Sequence, residues 1–382
     1  MKKQTFVIVY GLFFLFMMLL GSVYTYSIYR TELEQTLQIS TTLSGIPYMV
    51  SLASFAVGMF VFGRLNEPHH TKKLSVLGGL LLTSAWMISA IASSIWVLML
   101  SYGLMMGLAV GMLYGIPLML IQKQDIPKKG LLSGVMLFAF GLSSVIFSPI
   151  ARQVIDTYGL STLFYVYAAV SFVVTFMLYL VLPTFHTEQN KRQALLIPPW
   201  GKYLFLLTSM SFVGLMMIGL TNVIATSNYA LDPVTIATFI SIFALLNAIS
   251  RPIFGYLMDH FTFKKLALIS IGLIIAASLV NVFNQGQSLI LFFVGYGLYW
   301  FNLGVWLTMM PLYVKREVGT TLYAAVYGKV FLGYGISAVI GTLLSSLILD
   351  TLGDPRFLYM LIVGWMIIMS IYVVFGLNKK SA

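Results

Sequence analysis

The sequence has no cysteine. That excludes disulfides, thiolate metal sites and cysteine nucleophiles. Charge is scarce as well. Asp, Glu, Lys and Arg make up 9% of the 382 residues and apolar residues 59%, whereas a soluble domain carries about 25% charged residues. So few charges cannot clothe a water-soluble surface, so most of the surface must face lipid. The histidines are His69, His70, His186 and His260, all in polar connectors, which leaves no imidazole inside a long apolar run to carry protons. No Walker-type glycine loop, metal-ligand spacing or Ser/His/Asp cluster is present. The sequence therefore implies no cofactor, no metal, no ATP-driven work and no enzyme active site.

What is present is apolar sequence in long stretches. A membrane-spanning helix needs about 20 apolar residues, and runs of that length recur at approximately 5–29, 42–64, 74–93, 95–121, 131–153, 160–182, 203–228, 233–258, 265–284, 287–312, 321–349 and 357–377. The first follows Met1-Lys2-Lys3 and could pass for a signal peptide, but it is too long for a typical h-region and no A-x-A-like cleavage site follows it. It is expected to be span 1. The longest polar interruption, 183–202, is expected to link an N-terminal bundle (1–182) to a C-terminal one (203–382).

The formal charge of +11 could suggest nucleic acid, but its distribution points to topology. Connectors after even-numbered spans, together with both termini, hold 17 Lys and Arg; connectors after odd-numbered spans hold 3, namely Arg30, Arg152 and Arg356. The positive-inside rule then puts both termini in the cytoplasm. Two basic residues remain, Arg251 and Lys329, and both fall within spans.

The chain also repeats itself. Gly63-Arg-Leu65-Asn-Glu67 followed by Lys72-Lys73 returns as Gly255-Tyr-Leu257-Met-Asp259 followed by Lys264-Lys265, offset by 192. Gly141-Leu-Ser143-Ser-Val145-Ile146 returns as Gly335-Ile-Ser337-Ala-Val339-Ile340, offset by 194, and Asp156-Thr157 returns as Asp350-Thr351 in the same register. This is a duplicated six-span unit. The expected fold is an all-α membrane protein with twelve transmembrane helices in two pseudo-symmetric six-helix bundles, an architecture that alternating-access transporters use.

These residues resemble the major facilitator superfamily, whose signature loop after spans 2 and 8 is similar to the Gly63…Glu67…Lys73 and Gly255…Asp259…Lys264 segments. Glu67 stands where that loop usually has Asp. Within the superfamily, four segments look like the oxalate:formate antiporter and monocarboxylate transporter group: Gly21-x-x-Tyr24-x-x-Ser27; Pro127-Lys128-Lys129-Gly130-x(3)-Gly134; Phe140-Gly141-x(4)-Ile146-Phe147-x-Pro149; and Asn247-x(3)-Arg251-Pro252-x-x-Gly255. The resemblance implies that Arg251 binds a substrate carboxylate and that Tyr24 and Tyr114 line the site. It also shows departures. Tyr334 stands where oxalate-type members place a lysine, Asn247 where proton-coupled members have Asp, and Leu303 and Leu307 where oxalate-type members have aromatics.

The charge pattern reads the same way. Intramembrane charge costs about 2.5–3.5 kcal/mol on insertion scales and is a functional hypothesis by default. Arg251 lies eight residues before Asp259, roughly 12 Å into the membrane. Lys329 lies at a similar depth in span 11, roughly 14 Å. None of the eleven acidic residues falls in a span, so a bound anion is the natural counter-charge. A dianion would balance both cations, or a monoanion would suffice if desolvation leaves Lys329 uncharged. The competing readings are structural: Arg251 bracing the loop around Asp259, Lys329 snorkelling to the cytoplasm, Tyr24, Tyr114 and Asn247 in ordinary helix packing. In span 4, Gly103, Gly107, Gly111 and Gly115 form one stripe assigned to close helix packing. Tyr296, Tyr299 and Trp300 are read as packing residues.

The expectation is a transporter of small organic anions in the plasma membrane of a bacterium, exchanging anions by rocking of its halves, monomeric and without nucleic-acid partners. Arg251 and Lys329 would be the cationic ligands, with Tyr24, Tyr114 and Asn247 shaping the site. Gly63, Glu67, Gly255, Asp259 and Lys264 would stabilise one closed state. The rivals are a transporter of a neutral or drug-like solute and a non-transporting membrane sensor, the latter disfavoured by short termini.

Overall fold

In lipid every backbone polar group must be satisfied within the segment, and a helix does this with its own hydrogen bonds. The computed structural model, which describes residues 3–65, 70–124, 126–182, 199–284, 286–352 and 354–377, is helical along nearly its whole length and contains no strand among those residues. Glu67 and most of the 183–202 linker lie outside the described residues.

Eleven helices are long and apolar enough to cross a membrane: Ile8–Arg30, Leu43–Leu65, Thr71–Ala90, Ile95–Lys123, Lys129–Tyr158, Leu160–Val181, Gly201–Tyr229, Val234–His260, Phe263–Asn284, Leu289–Gly341 and Pro355–Gly376. One of them holds 53 residues, about 80 Å of helix, which is too long for one crossing of a core about 30 Å thick. It breaks at Gly319, whose φ of 75° and ψ of 174° leave the helical region. Residues 289–318 are span 10 and 320–352 span 11, so the twelve expected spans are all present. The polar turn Lys315-Arg316-Glu317 keeps its helical hydrogen bonds, and the reversal is confined to one glycine with a conformation that L side chains rarely adopt.

On the face opposite the Lys- and Arg-rich connectors, two spans begin in the same way. Asp232 accepts hydrogen bonds from the Val234 and Thr235 amides at the start of span 8. Asp354 accepts from the Arg356 amide at the start of span 12. Each cap is followed by a proline at the first helical position, where its missing N–H costs nothing. Hydrogen bonds from the Arg356 side chain and amide hold the Asp354 carboxyl below its ordinary range.

The chain divides into two compact units. One comprises Met1–Asp125, Ala139–Leu204 and Val318–Gly335; the other comprises Ile126–Phe138, Phe205–Glu317 and Ile336–Ala382. The first turns of span 5 thus pack with spans 7–10 and 12, and the first half of span 11 packs with spans 1–4 and 6. In the first unit span 2 runs along span 4 and span 3 along span 6. The span-4 glycine stripe makes the first of these contacts: a Cβ on Gly107 would lie 2.7 Å from Ser54 Cβ, and one on Gly111 would lie 2.7 Å from the Met59 nitrogen. In the second unit span 9 runs along span 12.

Candidate functional site

Span 8 (Pro233–His260) carries Arg251 on its inner face, and only 1% of the residue is exposed. Its guanidinium makes two hydrogen bonds. Nη1 donates to the Leu137 carbonyl of span 5 at 2.7 Å, and Nη2 donates to Asn247 Oδ1, one turn earlier on span 8, at 2.9 Å. The Asn247 amide is itself oriented, because its Nδ2 donates to the Trp300 carbonyl of span 10 at 2.7 Å. Arg251 Nε is buried and has no partner. Among the described residues no carboxylate lies within ion-pair distance of this arginine. Both acceptors are neutral, so a full positive charge stays buried with Nε unpartnered. An unsatisfied buried donor costs about 1–3 kcal/mol, and an unpaired buried charge costs more.

Lys329 is half-buried. Its Nζ lies 5.5 Å from the centroid of the Trp200 ring, and Trp200 directly precedes the helix Gly201–Tyr229. The connector before that helix is one of the Lys- and Arg-rich ones. The flexible stem therefore carries the ammonium to the edge of the unit, where an indole face receives it.

Tyr24 and Tyr114 come together in the first unit. Tyr24 OH lies 3.1 Å from Tyr334 OH, and its ring meets Phe140 edge-on at 5.3 Å. Tyr114, 1% exposed, packs against Phe55 at 5.2 Å, Phe140 at 4.9 Å and Phe331 at 5.9 Å. Phe55, Phe140, Phe331 and Tyr334 complete an aromatic cluster drawn from five spans. Tyr296, Tyr299 and Trp300 pack as the sequence suggests, with their polar atoms engaged to Tyr359, Ser278 and Thr221.

The signature segment after span 8 performs a definite task. The two oxygens of Asp259 accept from the Gly130 and Leu131 amides, each at 2.9 Å. These are orphan donors at the start of the helix Lys129–Tyr158, so Asp259 caps span 5 from a neighbouring helix. Gly255 lets the two backbones approach, since a Cβ there would lie 3.1 Å from Gly134 Cα. Lys264 Nζ donates to the Val374 carbonyl of span 12 at 2.6 Å. Gly63 meets the Ala324 carbonyl and lies against Gly328.

These contacts obey the repeat. The offset of 192 relates Gly63 to Gly255, and the offset of 194 relates Gly134 to Gly328, so span 2 meets span 11 as span 8 meets span 5. The same offsets pair Met59 with Arg251, Phe55 with Asn247 and Leu137 with Phe331. In the first unit this joint is aromatic, Phe55 on Phe331 at 5.0 Å. In the second it is polar, Arg251 donating to the Leu137 carbonyl and to Asn247 Oδ1. A joint of this geometry closes with Met59 and needs no cation. The partners of Arg251 and Asn247 that the sequence reading misses are backbone carbonyls, those of Leu137 and Trp300. The aromatic ones, Phe55, Phe331 and Tyr334, follow from carrying the repeat offsets through the spans.

A sequence profile of the Major Facilitator Superfamily matches residues 6–327 and 204–382. The uncharacterized MFS-type transporter YhjX of Escherichia coli (strain K12) is 25% identical over 333 residues, which cover 84% of this chain and 82% of that protein. The solved proton:xylose symporter XylE, bound to 6-bromo-6-deoxy-D-glucose, superposes with a TM-score of 0.72 at 12% identity, covering 98% of this chain and 96% of that one. Profile, relative and fold agree with the twelve helices and the duplicated signature segments: the chain is a multi-pass membrane protein of the Major Facilitator Superfamily, a family of transporters.

Proposed function

We propose that this transporter carries small organic anions bearing a carboxylate, exchanging one for another as its two six-span halves, 1–182 and 203–382, rock about the substrate. Arg251 is the carboxylate ligand. The observation that carries this reading is a buried guanidinium with an unused Nε donor and no counter-charge among the described residues. A planar fork of this kind matches a carboxylate, and charge-assisted bonds to it are about twice as strong as neutral ones. The repeat supports a role beyond packing, because the equivalent joint closes around Met59. The absence of acid from the spans supports exchange over a carboxylate proton relay. Tyr24 and Tyr114 supply hydroxyl donors and aromatic walls, and Asp259, Gly255 and Gly63 hold the docked arrangement of spans 5 and 11. Both termini lie in the cytoplasm, and the protein works as a monomer in a bacterial plasma membrane.

The test is counterflow of labelled carboxylates in proteoliposomes, with and without internal anion, for wild type and Arg251→Gln. Uptake that requires internal anion and disappears in the variant is the expected result. Uptake that survives in Arg251→Gln would return Arg251 to a structural role and favour a neutral or drug-like solute.

A further inference from the structure

We propose that the second unit carries a binding site for a small neutral hydroxylated group, that of a free polyol or of a glycerol-type lipid headgroup, at the ends of spans 7, 9 and 12 away from the Lys- and Arg-rich connectors. A cavity of about 190 Å³ lies there, far above the roughly 10–15 Å³ that holds one water. Its polar walls are Asn228 and Tyr229 of span 7, Asn281 of span 9, and Asp354, Arg356 and Tyr359 at the start of span 12. None of these residues is on span 8, which carries Arg251, so the site does not depend on the carboxylate reading.

Hydrogen bonds fix what each wall offers. Asn281 is 5% exposed and lies over Gly295 of span 10, where a Cβ would come 3.0 Å from its Cγ. Its Nδ2 donates to the Ala277 carbonyl at 2.8 Å. A carbonyl can only accept, so the orientation of the amide is set. Asn281 Oδ1 receives no hydrogen bond among the described residues, and an acceptor left unmet in a buried side chain is destabilising. Tyr229 is set in the same way. Asn284 Oδ1 accepts from the Ser288 amide at 2.8 Å, and its Nδ2 donates to the Tyr229 hydroxyl at 2.6 Å. The phenol oxygen is the acceptor in that bond, and its own hydrogen remains to be donated. Tyr359, 4% exposed, engages its hydroxyl with that of Tyr296 at 3.0 Å.

The charges cancel. Arg356 Nε and Nη2 both donate to Asp354 Oδ2, at 2.6 and 2.5 Å, and Asp354 Oδ1 accepts from the Arg356 amide. The cavity therefore has no net charge to offer an ion. Away from that pair and the exposed Asn228, what remains is an acceptor, Asn281 Oδ1, and a donor, the Tyr229 hydroxyl. An ammonium only donates and a carboxylate only accepts, whereas a hydroxyl does both. The repeat makes this a feature of one unit. The offset of 194 that relates Asp350 to Asp156 relates Asp354 to Leu160, Arg356 to Thr162 and Tyr359 to Tyr165, which is 46% exposed. The duplicated helix thus forms without the charged pair, so the pair is not a requirement of the fold.

The absence of cysteine supplies the assay. Full-length Asn228→Cys in phosphatidylcholine nanodiscs is labelled with a water-soluble maleimide in the presence of glycerol, erythritol or sorbitol. Gln153→Cys, at an exposed position of the first unit, is the reference. Polyols should slow labelling of Asn228→Cys saturably, with half-effect at about 1–10 mM for a few neutral hydrogen bonds, and leave the reference unchanged. Asn281→Leu and Tyr229→Phe, added separately, should raise the half-effect concentration about tenfold, with thermal unfolding as the check on folding. Protection by free polyols assigns a soluble ligand. Protection that instead requires phosphatidylglycerol in the nanodisc, and is lost in the same variants, assigns a headgroup; either result upholds the site. Equal protection by glycine or acetate would give the cavity to the Asp354–Arg356 charges and overturn the inference. So would protection that survives both variants, or none from any polyol or from phosphatidylglycerol.

Discussion

Replacing Gly134 by alanine puts a methyl group against the Arg251 carbonyl oxygen and 2.8 Å from Pro252 Cα. Both obstacles are backbone, so no rotamer change relieves the clash; the first turns of span 5 must move off span 8. Overpacking of this kind costs about 1–3 kcal/mol. Alanine offsets part of it, because removing a mid-helix glycine gains about 0.5–1 kcal/mol. The net effect is a docked arrangement weakened by about 1–2 kcal/mol, roughly a 5- to 30-fold larger undocked population. The absence of cysteine gives a clean reporter. Ser133 is 1% exposed, so Ser133→Cys reacts with a water-soluble maleimide only when this segment lifts. With fast reclosing, labelling tracks the open population, and Gly134→Ala should accelerate it by the same 5- to 30-fold. Gly219→Ala is the control, since nothing lies within 4 Å of a Cβ there, and it should leave labelling unchanged. If Gly134→Ala labels at the control rate, the tight backbone contact does not hold span 5, and the reasoning fails.

Asp259→Asn keeps one acceptor for the span-5 amides but loses the charge and the second acceptor. It should raise labelling in the same assay by several fold, in line with about 1 kcal/mol for a lost cap, and an unchanged rate would remove Asp259 from the joint. Tyr334→Phe deletes one hydroxyl of the Tyr24 pair while keeping the ring stacked on Phe331 at 5.2 Å. A loss of about 1 kcal/mol is expected from thermal or denaturant unfolding in detergent, and no loss would show that the pair adds nothing to stability. The Asp354 carboxyl is held below its ordinary value by Arg356. Its contribution is therefore present above the unfolded carboxyl pKa of about 3.9 and is lost as pH falls through the lower folded value. Wild type and Asp354→Asn should differ slightly in melting temperature near neutral pH and converge in acid; a constant difference would contradict the pairing.

The fold was largely readable from sequence, and span 10 shows both the reach and the limit of that reading. Its apolar run and that of span 11 were separable by Lys315, Arg316 and Glu317, yet the helix continues through those residues and turns only at Gly319. Charge marks the edge of the bilayer, whereas backbone conformation decides where the helix breaks. The repeat was legible at Gly63 and Gly255 because a backbone approach admits only small residues there. Its polar counterpart was not, because nothing in the letters Asn247 and Arg251 says that one hydrogen-bonds the other or that both reach backbone carbonyls.

Sequence by itself determined that this is a twelve-span helical membrane protein, that its Lys and Arg gather in alternate connectors, that it is duplicated, and that Arg251 and Lys329 are the two basic residues within its spans. The bilayer makes those features compositional: spans must be apolar and of set length, and cations gather on one side. Tertiary structure alone decided what surrounds each of the two cations. Both sit at similar depth in sequence, but Lys329 has a stem long enough to reach Trp200, while Arg251 is enclosed by the Leu137 carbonyl and Asn247. A side chain's partners depend on the rotation and neighbours of its helix, and a carbonyl acceptor leaves no mark in the sequence because every residue has one.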